Sequence, residues 1–183
     1  MTLKDKDFDE LLERARRIDQ NALAEIHDRF YSEVYRYVYF RLNDASACED
    51  ITSEVFLRLL DALNRRKGPR ESLRGWLMGT ASNLVNDHLR QRYADRVDNL
   101  EDGDQHLADE SSPEDVFDET WQQKQVIKAI QQLTEEQQNV LALRFAEGRS
   151  LDETARMIGK SVTAVKALQF RALASLRRLL EKK

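Results

Sequence analysis

An all-α fold of two small helical domains joined by an acidic, flexible linker follows from three observations. Apolar residues recur at three- and four-residue steps through most of the 183-residue chain, and period-two alternation is scarce. Only two prolines and six glycines interrupt the pattern. Charge is also unevenly spread. Residues 1–92 hold sixteen cations and sixteen acids, residues 93–123 hold one cation and eleven acids, and residues 124–183 hold twelve cations and six acids. The formal net charge of -4 therefore conceals a basic C-terminal part. The boundaries this predicts are a domain over 1–92, a linker over 93–120 poor in core-forming residues, and a second domain over 121–183.

The elements follow in order. FDELLERARRI opens the first helix, and Asp19 is placed to cap a second, from Gln20 to about Leu42. Within it, FYSEVYRYVYFRL carries four of the five tyrosines. Phe30, Tyr31, Val34, Tyr35, Val38, Tyr39 and Phe40 cover too much of the circumference for a simple surface helix. Part of it is expected to be buried and part to dock a partner. DASACEDITSEVFLRLLDAL gives a third helix, with Ile51, Val55, Leu59 and Leu63 on one face and Asp50, Glu54, Arg58 and Asp61 on the other.

NRRKGPRES follows, a loop broken by Gly68-Pro69 and carrying Arg65, Arg66, Lys67 and Arg70 against one acid. Such a loop suits phosphate. Ser72 then caps LRGWLMGTASNLVNDHLRQR, whose core side is expected to hold Leu73, Leu77, Ala81, Leu84 and His88. Trp76, Gly79, Asn83, Asp87 and Arg90 form a separate stripe. A tryptophan for stacking, a glycine that leaves room and an amide that donates and accepts resemble the walls of a pocket for an unstacked base.

Ser112 and Pro113 are expected to open the next helix. Near the C-terminus, Ser150 and Glu153 have capping-box spacing, Gly159 suits a left-handed stop, and Ser161 can cap a last helix from Val162 to about Leu180. This is a helix-turn-helix layout. Val165, Leu168, Ala172, Leu176 and Leu179 make the apolar stripe of the last helix. Thr163, Lys166, Ala167, Phe170 and Arg171 fall opposite it, in a stretch from Lys160 to Lys183 with seven cations and one acid. Cations for phosphates beside small or apolar groups for base edges describe a helix that enters a DNA major groove.

Other classes are disfavoured. His27, His88 and His106 are scattered without metal-ligand spacing, and no nucleophile stands beside a base, so neither enzymatic chemistry, a metal nor a cofactor is expected. The single cysteine, Cys48, excludes an internal disulfide framework and fits a reducing compartment. A charged N-terminus and the lack of a long apolar run predict a cytoplasmic protein without membrane insertion.

Three stretches taken together resemble the small bacterial sigma factors of the extracytoplasmic-function (ECF) type, in the sigma-70 family. CEDITSEVFLRLL resembles the polymerase-docking helix, LRGWLMGTASNLVNDHLRQR the helix that melts and reads the -10 element, and LTEEQQNVLALRFAEGRSLDETARMIGKSVTAVKALQFRAL the -35-reading domain. The resemblance implies core RNA polymerase as a partner, through its β′ clamp and β flap, together with promoter DNA and an anti-sigma factor. It implies that Asp50, Ser53, Glu54 and Arg58 meet the clamp. Asn83 would line the pocket for a flipped base, with Trp76, Asp87, Arg90 and the loop of Arg65, Arg66, Lys67 and Arg70 around it. Arg144, Ser161, Thr163, Lys166, Ala167, Phe170 and Arg171 would meet -35 DNA. The linker would thread the RNA-exit path. Two departures stand out: Ser53 replaces a frequent glutamine, and TAVKAL replaces a more polar G-T-V-K-S-R. The competing reading is a conventional helix-turn-helix regulator acting without core polymerase. The arrangement of the two domains in the free chain is left open by the sequence.

Overall fold

The computed structural model describes residues 3–70, 72–101 and 121–181. Its elements are α1 (Leu3–Arg16), α2 (Gln20–Leu42), α3 (Ala45–Asn64), α4 (Leu73–Glu101), α5 (Trp121–Gln131), α6 (Glu135–Leu141), a π-helical turn (Ala142–Ala146), α7 (Leu151–Ile158) and α8 (Val162–Glu181). Local chemistry sets most boundaries. Asp19 caps α2, its carboxylate accepting from the Ala22 N–H at 2.9 Å, and Arg14 of α1 donates to the same group at 3.3 Å. The Ala22 bond and then Arg14 hold the Asp19 carboxyl below the usual range. Asp44 caps α3 by accepting from the Ala47 N–H at 3.0 Å. Ser72 Oγ accepts from the Gly75 N–H at 3.0 Å and fixes the start of α4.

The first four helices surround one core. Ile26, Phe30, Val34 and Val38 of α2 meet Cys48, Val55, Leu59 and Leu63 of α3 and Leu73, Leu77, Ala81 and Val85 of α4. The expected buried face of α4 is partly corrected. Leu73, Leu77 and Ala81 are buried, but so are Met78 and Val85, whereas Leu84 and His88 are only half-buried. Met78 and Val85 each follow an expected position by one residue, which broadens the buried face on one side. More than one side of α4 is covered, since it packs on α2 and α3 and also on α7. The helix continues to Glu101, through the first residues of the expected 93–120 linker. The expected helix opening at Ser112–Pro113 lies outside the described residues.

In the C-terminal half, two capping boxes set the frame, Thr134 with Gln137 for α6 and Ser150 with Glu153 for α7. Gly159 ends α7 at φ 64°, where a side chain would be strained. Ser161 Oγ then accepts from the Ala164 N–H at 3.2 Å and starts α8. Val140, Ala155, Val165 and Leu168 form one small core, and Leu133, Leu141 and Ala172 another.

The two halves are packed together. Ala142 and Leu143 of the π-helical turn lie in the same core as Val34 and Leu77, and Met157 and Ile158 of α7 pack against it. Polar ties line the seam. Tyr37 donates its hydroxyl to Asn139 Oδ1 at 2.8 Å. Arg36 pairs with Glu147 at 3.1 Å, and Glu33 lies 2.6 Å from Arg149 and 3.0 Å from Arg74. Burial pushes the Glu147 carboxyl up, and Arg36 only partly opposes this. Desolvation of Glu147 thus outweighs its pairing, so this ion pair sets the register of the seam more than its strength.

A shared core predicts one cooperative unfolding transition for the described halves. Leu143→Ala should lower stability by about 2–5 kcal/mol in urea denaturation, because it opens a cavity at the junction. Two separate wild-type transitions, with neither moved by Leu143→Ala, would contradict the shared core.

Burial raises the Cys48 thiol to about 11. Cys48 should therefore resist alkylation at pH 8 in the native chain and react promptly in denaturant. Equal rates in the two conditions would show that Cys48 is not buried.

Candidate nucleic-acid interface

The loop between α3 and α4 is held in place by three features. Arg65 and Arg66 end α3 in a Schellman arrangement: Lys67 N–H donates to Ala62 C=O at 2.8 Å and Arg66 N–H to Leu63 C=O at 3.0 Å. Arg66 takes φ 56°, a left-handed conformation that favours glycine. Gly68 lies so close to Leu63 that a Cβ would stand 2.7 Å from Leu63 Cδ2. Finally, Arg16 of α1 donates to the Pro69 carbonyl at 2.7 Å. Arg65, Arg66, Lys67 and Arg70 are all exposed on this braced loop. Arg66 thus holds a conformation that glycine would take more easily.

Beyond the loop, α4 presents the expected stripe. Gly79, Asn83, Asp87 and Arg90 are exposed, and nothing approaches the position of a Gly79 Cβ. Trp76 is half-buried, with part of the indole packed against the core. The stripe thus has a fixed aromatic at one end and a free amide one to two turns on. At its far end, Arg90 is engaged by Glu135 of α6 at 3.0 Å and lies 3.6 Å from Asp87.

On α3, Ile51, Val55, Leu59 and Leu63 are buried as expected. Asp50, Ser53 and Arg58 are exposed, and Arg58 Nε donates to Glu54 at 2.8 Å. Two residues of this outer face escaped sequence reasoning. Leu57 is 61% exposed and Leu60 37%. The signal was present, since both fall out of phase with the buried face. Their apolar character only matters once no neighbour covers them.

The helix-turn-helix offers a separate surface. Phe170 is 75% exposed, and Ser161, Thr163, Lys166, Ala167 and Arg171 are exposed around it. Arg171 Nε donates to the Ala167 carbonyl at 3.3 Å, which lays its side chain along α8. Ser161 uses its hydroxyl as a cap. Arg144 stands apart from this group. It is half-buried in the π-helical turn, bonded to the Arg149 carbonyl and, at 3.1 Å, to Gln169 Oε1 of α8. Only its Nη2 makes no bond among the described residues. Phe145, 56% exposed on the same turn, was not singled out from the sequence.

The residues that sequence reasoning missed most completely lie at the seam. Arg41 is 0% exposed, and its guanidinium meets Gln138 Oε1 at 3.2 Å and Asn86 Oδ1 at 2.7 Å. Tyr37 is equally buried. An arginine at the end of an aromatic helix reads as solvated, and nothing local announces a partner about a hundred residues away.

Among the described residues no group of three His, Cys, Asp or Glu side chains could hold a metal ion, and no helix is long and apolar enough to cross a membrane.

Comparison with known proteins agrees with this division. The Sigma-70 region 2 family matches residues 26–94, and the Sigma-70 region 4 family matches residues 129–178. The ECF RNA polymerase sigma factor BldN of Streptomyces coelicolor is 38% identical over 172 residues, which is 93% of this chain and 65% of that protein. The ECF RNA polymerase sigma factor SigX of Bacillus subtilis is 29% identical over 160 residues, covering 85% of this chain and 82% of the relative. A solved structure of CnrH in complex with the cytosolic domain of CnrY shares the fold, with a TM-score of 0.66 at 23% identity over 93% of this chain and 95% of that one. With both of its characteristic regions matched, in this order and on the two helical halves described, the chain belongs to the sigma-70 family and is similar to its ECF members.

Proposed function

We propose that this chain binds core RNA polymerase and directs transcription initiation at specific promoters, by reading a -10 element with its first half and a -35 element with its second. One observation carries the reading. The chain exposes two nucleic-acid surfaces of different design, a braced basic loop leading to the Asn83 stripe and a helix-turn-helix led by Phe170. A duplex-binding regulator needs only the second.

Roles follow from placement. The outer face of α3, with Asp50, Ser53, Glu54, Arg58 and the exposed Leu57 and Leu60, docks on the polymerase clamp. Asn83 holds the edge of a flipped -10 base, and Trp76 walls the pocket beside Asp87 and Arg90. Arg65, Arg66, Lys67 and Arg70 meet the strand that leads to it. On α8, Lys166 and Arg171 take phosphates, Phe170 meets base edges or methyl groups, and Thr163 and Ala167 allow close approach. Ser161 sets the start of α8, while Arg144 braces Gln169 and keeps one nitrogen for a phosphate. The polymerase β flap and an anti-sigma factor are further expected partners.

The direct test is promoter binding by the purified chain with and without core polymerase. Tight, sequence-specific duplex binding by the chain alone would establish the conventional regulator instead.

Within the holoenzyme, Asn83→Ala should leave assembly intact and impair opening of a duplex promoter. Its defect should shrink on a promoter already unpaired at the flipped base, because extrusion costs a few kcal/mol only when the base is stacked. A variant that loses polymerase binding but melts normally would place this stripe against the polymerase.

Lys166→Ala and Arg171→Ala should each flatten the dependence of log affinity on log salt by about 0.9 for -35 duplex. Phe170→Ala should change base preference with little effect on that slope. Three unchanged profiles would move the contact elsewhere.

Arg66→Gly should raise the stability of the free chain by up to about 1 kcal/mol, since glycine takes φ 56° without strain. The same change should weaken promoter opening. A variant that is more stable and fully active would show that the Arg66 charge is unused.

A further inference from the structure

We propose that Arg41, Asn86 and Arg90 form an edge that binds the phosphate backbone of single-stranded promoter DNA, and that α6 covers this edge in the closed chain. The edge presupposes the proposed strand-reading role of α4 and extends it to groups that α6 occupies here, Arg41 by burial and Asn86 and Arg90 by pairing with Glu135.

Arg41 supplies the first observation. Its side chain is fully buried, yet every acceptor around it is neutral. Nη1 donates to the Tyr37 hydroxyl at 3.4 Å, Nη2 to Asn86 Oδ1 at 2.7 Å, and Nε and Nη2 to Gln138 Oε1 at 3.3 and 3.2 Å. No carboxylate among the described residues pairs with it. A buried cation without a counter-charge is under-compensated, and a planar guanidinium fork suits a bidentate oxyanion better than one amide oxygen.

Glu135 supplies the second. Asn86 and Arg90 lie one turn apart on α4, and both end on this carboxylate. Asn86 Nδ2 donates to Oε2 at 3.0 Å, and Arg90 Nη2 donates to Oε1 at 3.0 Å and Oε2 at 3.2 Å. An anion gripped by an amide and a guanidinium occupies the place that phosphate oxygens would take. Arg41 joins the same edge through its bond to Asn86.

Position supplies the third. Asn86 and Arg90 stand three and seven residues after Asn83, so the edge continues the stripe assigned to the flipped base. Glu135 and Gln138, which cover the edge, both belong to α6. Gln138 is anchored there through its Nε2, which donates to the Leu133 carbonyl at 2.9 Å. Withdrawal of α6 therefore uncovers Arg41 and, in the same movement, frees Asn86 and Arg90 from Glu135.

The test uses the full chain and a fluorescein-labelled single-stranded 20-mer of thymidine, read by anisotropy over a range of salt. Replacing Glu135 and Gln138 together by alanine uncovers the edge. This double variant should bind the strand about tenfold or more tightly than wild type, since closure reduces the competent fraction. Adding Arg41→Gln to it should lower the slope of log affinity against log salt by about 0.7, and adding Arg90→Gln should do the same. Arg90 is exposed, so its variant keeps the test valid if Arg41→Gln impairs folding, which circular dichroism would reveal. Three results overturn the proposal: no gain in the double variant, an unchanged slope on removing either arginine, or an equal gain on a duplex of the same length. If those failures occur while the wild-type chain still assembles with core polymerase and opens promoters, the edge is wrong and the proposed function stands. Failure of the wild-type chain to assemble rejects the function, and the anisotropy series still decides the edge.

Discussion

A buried positive charge governs this molecule. Arg41 lies fully buried at the end of α2, with amide and phenol oxygens to meet its guanidinium N–H groups. Hydrogen bonds to a charged group contribute about 1.5–3 kcal/mol each, but stripping a guanidinium of water costs several. The packing of α6 over α2 and α4 is therefore specific without being strong. Around Arg41 the seam repeats that logic: Glu147 is buried against Arg36 and has its carboxyl pushed up by that burial. Apolar burial of Ala142, Leu143, Met157 and Ile158 holds the halves together. The polar groups decide how they are aligned.

This places two demands on α4. One side packs into the core and against α7, through Leu77, Met78, Ala81 and Val85. Another keeps Gly79, Asn83, Asp87 and Arg90 in solvent, Asn86 runs at the border between the two, and α6 engages both Asn86 and Arg90. A single helix is thus both a wall of the seam and the frame of the proposed strand-reading stripe. The α8 surface is not compromised in the same way. Phe170, Lys166 and Arg171 stay exposed in the closed chain. Closure therefore bears on the first half's nucleic-acid surface and leaves the helix-turn-helix face open.

Local chemistry made much of this legible from the sequence. Asp19, Ser72, Ser150 and Ser161 all cap the helices they precede, and Gly159 takes its left-handed turn. The opposition of Phe170 to Val165, Leu168 and Ala172 could be read from spacing alone. What escaped had non-local causes. Tyr37 and Arg41 look like members of an over-apolar surface helix until α6 covers them. Met78 and Val85 are buried on an α4 that packs on α7 as well as on α2 and α3, a neighbour its own spacing does not announce. The π-helical turn at Ala142–Ala146 has no sequence signature; it delivers Leu143 into the core of the other half. The exposed Leu57 and Leu60 read as ordinary helix formers, and only the absence of a described neighbour makes them notable.

The account stands or falls on whether α6 covers the Arg41 edge in the free chain and leaves it on engagement. Spin labels on cysteines introduced at Ala24 of α2 and Ala174 of α8, both exposed, report this directly by pulsed electron resonance, with native Cys48 buried and unlabelled. The free chain should give a single narrow distance distribution, which lengthens when the chain is assembled with core polymerase and promoter DNA. A broad distribution in the free chain, or the same narrow one before and after assembly, would contradict a seam that closes and opens.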